Sequence, residues 1–200
     1  MNIVLAKRIV FVLGFIPLIR LFVLGFLDKL TANPIEFITR STGTWTITFL
    51  CLTLSMSPLR MITGWPQWIQ LRKTLGLFTF FYALLHFTIW YWLDHNFDFA
   101  LMMADVIKRP FITMGFIAFV IMSFLAITSN QMSMRILGGK WKMLHRLIYV
   151  IAVLALIHYL WHKEGKRDFT VVYIYSAIIF SLLIIRIPWR SEEHTSELQS

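Results

Sequence analysis

WKMLHRLIYVIAVLALIHYLW, from Trp141 to Trp161, is an apolar run of helix length with a histidine near each end, His145 and His158. A run of about 20 mainly apolar residues is what one helix needs to cross a bilayer. A third histidine, His86, lies inside another such run, Leu75 to Leu93. An imidazole within a lipid-spanning segment is costly and needs a partner, so these three residues pose the question of function.

Working outward, the same kind of run recurs. Of the 200 residues, 58% are hydrophobic and 14% charged, and the mean hydropathy is +0.70. That is too apolar for a soluble domain of this length. Six spans are predicted: Ile9–Leu27, Thr44–Leu59, Leu75–Leu93, Phe111–Thr128, Leu144–Trp161 and Thr170–Ile187. They lack the period-two alternation of a closed barrel. The expected fold is therefore an all-α integral membrane bundle of six transmembrane helices, one domain over residues 1–189. Lys7 and Arg8 precede the first run as in a signal peptide, but Arg20 interrupts it and no small-residue cleavage site follows. It reads as an uncleaved first helix.

The net charge of +9 does not point to nucleic acid, because the basic residues flank the apolar runs and face lipid headgroups there. With the N-terminus inside, the inside segments carry bases and no acids. The acids up to residue 189 (Asp28, Glu36, Asp94, Asp98, Asp105, Glu164 and Asp168) all fall in outside loops. Both termini are then cytoplasmic. The single cysteine, Cys51, excludes an intrachain disulfide and reads as a packing residue. The last stretch, RSEEHTSELQS at 190–200, is polar and acidic where the rest is apolar and basic. It reads as a translated sequencing-library adapter that replaces the natural C-terminus, and it is set aside from the fold. No internal repeat or low-complexity linker is visible, and the outside stretch Asp94–Pro110 is the only long loop.

His86 lies 11 residues into its span and His158 lies 14 into its own, and both spans run from inside to outside. At about 1.5 Å per residue the two sit roughly 17 and 21 Å from the inner ends. Two imidazoles at matched depth on different helices suit the two axial positions of one haem b, with Phe80, Phe81, Tyr82, Phe87 and Trp90 available as apolar walls. His162, one turn beyond His158, is the rival ligand, but it adjoins Lys163 and Glu164 at the wet end. His95 reads as a loop histidine. His145 is 13 residues before His158, and about 100° per residue sets their side chains some 140° apart on a straight helix. A kink or another neighbour is required. The position 13 before His86 is Lys73, so a second bis-histidine haem has no visible partner. Arg72, Lys73 and Arg146 instead surround His145 with positive charge, suited to a flavin phosphate, a quinone headgroup or haem propionates. Arg20, in mid-span near the depth of His86, needs an anion, and a haem propionate is the expected one; snorkelling to the outer surface is the alternative.

Several stretches resemble the MsrQ (YedZ) family of the ferric-reductase-like transmembrane superfamily. They are YALLHF around His86, GKWKMLHRLIYV around His145, IHYLW around His158, TSNQ at Thr128–Gln131, RPFITMG at Arg109–Gly115 and SPL at Ser57–Leu59. The resemblance runs from the first span to Ile187. It implies a haem b subunit of the bacterial inner membrane that takes electrons from the quinone pool, with FMN also assigned to the family. The electrons go to a periplasmic molybdopterin enzyme, MsrP, which reduces methionine sulfoxide in oxidised envelope proteins. By that likeness His86 and His158 are the axial ligands of haem iron. His145 serves the inner cofactor or haem, and Arg72 and Lys73 fall where the family places a basic pair. No acid–base or nucleophilic catalytic site is visible, so the expected role is electron transfer with quinone, lipids and the reductase as partners. Two alternatives stand beside it. One is a stand-alone ferric or quinone reductase of cytochrome b561 type. The other is a haem-free transporter or scaffold, which the absence of paired membrane acids and broken-helix repeats disfavours.

Overall fold

The structure, a computed structural model, describes residues 3–164 and 169–186. All regular structure among them is helical, in the order α1 (Ile3–Leu13), α2 (Ile16–Phe26), α3 (Pro34–Thr63), α4 (Gln67–Leu93), α5 (Phe99–Lys108), α6 (Pro110–Ile127), α7 (Gln131–Leu137), α8 (Gly139–His145), α9 (Ile148–Glu164) and α10 (Thr170–Ile184). Among the described residues five stretches are long and apolar enough to cross a membrane, and α10 is a shorter apolar helix. The protein is a multi-pass helical membrane protein, as its sequence predicts. The 190–200 tail lies outside the described residues.

The bundle has an upper end, where α4 meets α5 and α9 approaches α10, and a lower end, where α3 turns into α4 and α6 into α7. α3 and α4 form one antiparallel hairpin and α6 with α9 a second; α4 packs on α6, and α10 closes against α3 and α9. Leu50, Leu54, Ile151, Ala152 and Ile179 fill the seam between the hairpins and are fully buried. A second, aromatic cluster joins α1 to the α3–α4 hairpin, with Phe49 stacked on Phe78 and Tyr82.

The elements differ from the predicted spans in five places: α4 starts at Gln67, eight residues before the predicted Leu75, and the other four differences each have a local reason. The first span begins at Ile3 and breaks at Gly14–Phe15. Pro17 lacks the N–H that would continue the ladder, the Tyr82 hydroxyl donates to the Gly14 carbonyl at 2.8 Å, and a Cβ at Gly14 would overlap the Phe78 ring. Thr44–Leu59 is only the lower part of α3, a helix of 30 residues. Its upper part reads as polar because of Thr39, Arg40, Ser41 and Thr42. Within the helix, however, Thr39 donates to the Ile35 carbonyl and Thr42 to those of Ile38 and Thr39, so these hydroxyls cost little in lipid. The predicted loop Asp94–Pro110 holds α5, whose N-terminus Asp98 caps by accepting from the Leu101 N–H at 3.0 Å. Lastly, the run that opens the sequence is two helices, α8 and α9, parted at Arg146–Leu147.

Pro58 sits inside α3 and leaves the Leu54 carbonyl without its helical donor. Arg186, just beyond α10, supplies one through Nη2, while its Nη1 donates to the Tyr149 hydroxyl at 3.0 Å. One guanidinium thus ties α10 to α3 and α9. Arg186→Leu is expected to lower thermal stability in detergent by about 1.5–3 kcal/mol, the worth of a charged hydrogen bond. A melting curve followed by helical circular dichroism checks it.

Candidate functional site

α4 carries His86 and α9 carries His158, and the bundle brings their rings together, with centroids 6.3 Å apart and planes at 77°. Each ring is held the same way. His86 Nδ1 lies 2.9 Å from the Thr39 carbonyl on α3, and His158 Nδ1 lies 2.7 Å from the Phe111 carbonyl on α6. A carbonyl only accepts, so Nδ1 carries the proton in both residues and Nε2 keeps its lone pair. One helical turn after each carbonyl comes a glycine on which the ring rests. A Cβ at Gly43 would lie 3.1 Å from His86 Cε1, and one at Gly115 would lie 2.7 Å from His158 Nδ1. The chain has no internal sequence repeat, yet it builds this device twice, with donor and acceptor 47 residues apart each time.

Among the described residues no group of three or more His, Cys, Asp or Glu gathers as a metal site. The pair therefore suits a metal that brings its own remaining ligands, as a porphyrin does. A metal–imidazole bond of about 2 Å places the centroids of two trans imidazoles about 6 Å apart, and the observed separation fits. Phe80 and Phe87 stack on Phe119 of α6 beside the pair. Of the other aromatic walls expected from sequence, Phe81 and Tyr82 belong to the α1-side cluster, while Trp90 lies between Phe87 at 5.8 Å and His95, against which it packs edge-on. His162 approaches the Phe111 ring at 5.8 Å, and it is the His158 ring that makes the ring contact with His86.

His145 is at the lower end, as its sequence position demands, and the break after α8 frees it from the facing of His158. Its ring stacks on Trp141 with centroids 3.9 Å apart. Nδ1 lies 3.2 Å from the Trp141 carbonyl and Nε2 lies 3.3 Å from Ser129 Oγ. The TSNQ stretch builds this corner. The Thr128 carbonyl accepts from Trp141 Nε1 at 2.9 Å, Ser129 meets His145, and Asn130 caps α7. His145 lines a cavity of about 530 Å³ together with Arg72, Lys73, Lys142, Arg146 and Tyr149. Among the described residues no carboxylate lines it. The basic cluster expected from sequence is thus assembled, with Lys142 and Tyr149 added. The cavity lining has the chemistry that suits an anionic group.

Arg20 is exposed on α2 and does not touch the histidine pair. It lines a second cavity of about 450 Å³ with Arg40, Ser41, Thr44 and Tyr175. Arg40 lies 3.3 Å from Glu36. Sequence reading missed Arg186 and both carbonyl–glycine cradles. The only signal for the cradles is a glycine in each of the polar-tinged stretches RSTGT and RPFITMG.

A model of the ferric reductase like transmembrane component family matches residues 42–156, which hold His86 and His145 and stop short of His158. The chain is 53% identical over 181 residues to the protein-methionine-sulfoxide reductase heme-binding subunit MsrQ of Ralstonia nicotianae, covering 90% of this chain and 83% of the relative. It is 52% identical over 186 residues to the MsrQ of Herminiimonas arsenicoxydans, covering 92% and 85%. With the MsrQ of Brucella anthropi it shares 36% over 179 residues, covering 90% and 80%.

Proposed function

Since this chain belongs to the MsrQ family of ferric reductase-like transmembrane proteins, we propose that it is a membrane cytochrome b. It holds haem b between His86 and His158 and passes electrons across the inner membrane to a periplasmic molybdopterin reductase of MsrP type, supporting repair of methionine sulfoxide in envelope proteins. The observation that carries the reading is the facing pair of imidazoles, each with Nδ1 committed to a carbonyl and Nε2 left over.

Haem supplies a reversible one-electron couple when bound. The chain's own residues do the rest. The Thr39 and Phe111 carbonyls fix the tautomer and raise the basicity of each imidazole. Gly43 and Gly115 admit the rings between helices, and Phe80, Phe87 and Phe119 keep that side apolar. Arg20, with Arg40 beside it, is the proposed partner of a haem propionate. At the lower end Arg72, Lys73 and His145 receive the phosphate of FMN or the headgroup of a quinone, with the quinone pool as electron source. Both termini and the lower cavity then face the cytoplasm, and α10 serves as the sixth span.

The test is a reconstitution. In lipid nanodiscs, a quinol should reduce the haem, and an MsrP-type reductase with methionine sulfoxide should reoxidise it within turnover time. Haem that stays reduced with that partner but is oxidised by ferric chelates would replace the reading with a stand-alone ferric reductase. For the lower cavity, Arg72→Gln with Lys73→Gln is expected to weaken FMN binding at least tenfold, since a charge-assisted hydrogen bond is worth about 1.5–3 kcal/mol. Fluorescence titration of FMN checks it.

A further inference from the structure

The RPFITMG stretch is only partly explained by Gly115 and the Phe111 carbonyl. Its remaining members tie the first turn of α6 to α5. Arg109, the residue before Pro110, forms a bidentate ion pair with Asp105 on α5. Thr113 Oγ1 donates to the Val106 carbonyl at 2.5 Å. Asp105 also has a second partner: Nε2 of His95 lies 3.2 Å from its Oδ2, off the line a hydrogen bond needs. His95 is only 8% exposed and is wedged against Trp90, so its ring packs against one side of the carboxylate. The Arg109 guanidinium in turn lies 5.8 Å from the centre of the Phe111 ring, and that ring lies 6.0 Å from the His158 ring. The backbone of the same residue, Phe111, accepts the His158 Nδ1 proton.

We propose that Asp105 and Arg109 are positioning residues for His158: their ion pair, buttressed by His95, fixes the first turn of α6 and with it the Phe111 carbonyl that orients and polarises the imidazole. The proposal rests on the reading of His158 as a haem ligand. A tight Nδ1–H···O=C bond makes the imidazole a stronger donor to the metal and favours the oxidised state; loosening it favours the reduced state and raises the midpoint potential. This effect has a sign that charge alone does not reproduce. Asp105→Asn deletes a negative charge and Arg109→Gln a positive one. By simple electrostatics the two shift the potential in opposite directions. By loss of positioning both shift it upward.

The experiment is a redox titration of the purified full-length chain, wild type against Asp105→Asn, Arg109→Gln and Thr113→Val, with haem content measured in parallel. Both charge variants are expected to raise the reduced-to-oxidised ratio at fixed ambient potential about tenfold, the lower end of what losing an outer-shell partner costs. That is an upward shift of about 59 mV for a one-electron couple. Thr113→Val, which changes no charge, should move it the same way by less, and Asp105→Glu should restore most of the wild-type value. Opposite shifts in the two charge variants overturn the proposal, as does an unchanged potential in Arg109→Gln and Thr113→Val. Should Asp105→Asn fail to fold, the other two variants still decide. A wild-type protein without haem b overturns the functional reading and this proposal together; a haem-loaded wild type with unmoved variants overturns this proposal alone.

Discussion

His158→Ala is expected to abolish the low-spin b-type α band of the purified protein, and His86→Ala to do the same. On the proposed reading, each change removes one of the two imidazoles that would hold the haem. It also leaves the Thr39 or Phe111 carbonyl, which now accepts from the imidazole, facing a void. Loss of a single outer-shell partner already costs about 10–100-fold in metal affinity, so losing a ligand itself should reduce haem retention more than about a hundredfold. His162→Ala should leave the band in place, because the ring in contact with His86 is that of His158 at 6.3 Å, while His162 lies against Phe111 at 5.8 Å. Reduced-minus-oxidised spectra with haem counted per protein check all three. A band that survives His158→Ala but not His162→Ala would move the ligand one turn up α9.

Gly115→Ala is expected to cost nearly as much without touching a ligand. The new Cβ would lie 2.7 Å from His158 Nδ1 and 2.9 Å from Cε1, distances that force the ring or the helix to move. The ring has little freedom, since Nδ1 is held 2.7 Å from Phe111 O. Overpacking of this kind costs about 1–3 kcal/mol, which is about 5- to 150-fold in haem affinity. Gly43→Ala meets His86 at 3.1 and 3.2 Å and should cost less, because a shift of a few tenths of an ångström relieves it. Haem retention during size-exclusion chromatography ranks the two. Equal retention in both variants, at the wild-type level, would remove the glycines from the site.

Much of this was legible in the sequence because of the one-dimensional character of a membrane bundle. Long apolar runs fix the helices, and depth along a helix follows from residue count, so His86 and His158 can be matched before any packing is known. The gathering of Arg72, Lys73 and Arg146 around His145 follows in the same way. What depth cannot give is azimuth and contact. Arg20 shares the depth of His86 but faces another cavity with Arg40. The polar start of α3 hides a helix because its hydroxyls bond back to their own helix. The break at Arg146–Leu147 replaces the kink that the 140° misfacing of His145 demanded. α5 was read as loop because ten residues between Asp98 and Arg109 are too few to register as a span. Arg186 was counted as one more interfacial base, because its role depends on a carbonyl that Pro58 releases on a helix far away in sequence.

If the imidazoles of His86 on α4 and His158 on α9 share one haem iron, low-temperature electron paramagnetic resonance of the oxidised protein reads it out. With ring planes at 77°, a strongly anisotropic low-spin ferric signal is expected, the form that near-perpendicular imidazole ligands would produce, lost in both His86→Ala and His158→Ala. A high-spin signal in haem-loaded wild-type protein, or a low-spin signal that survives either substitution, would contradict it.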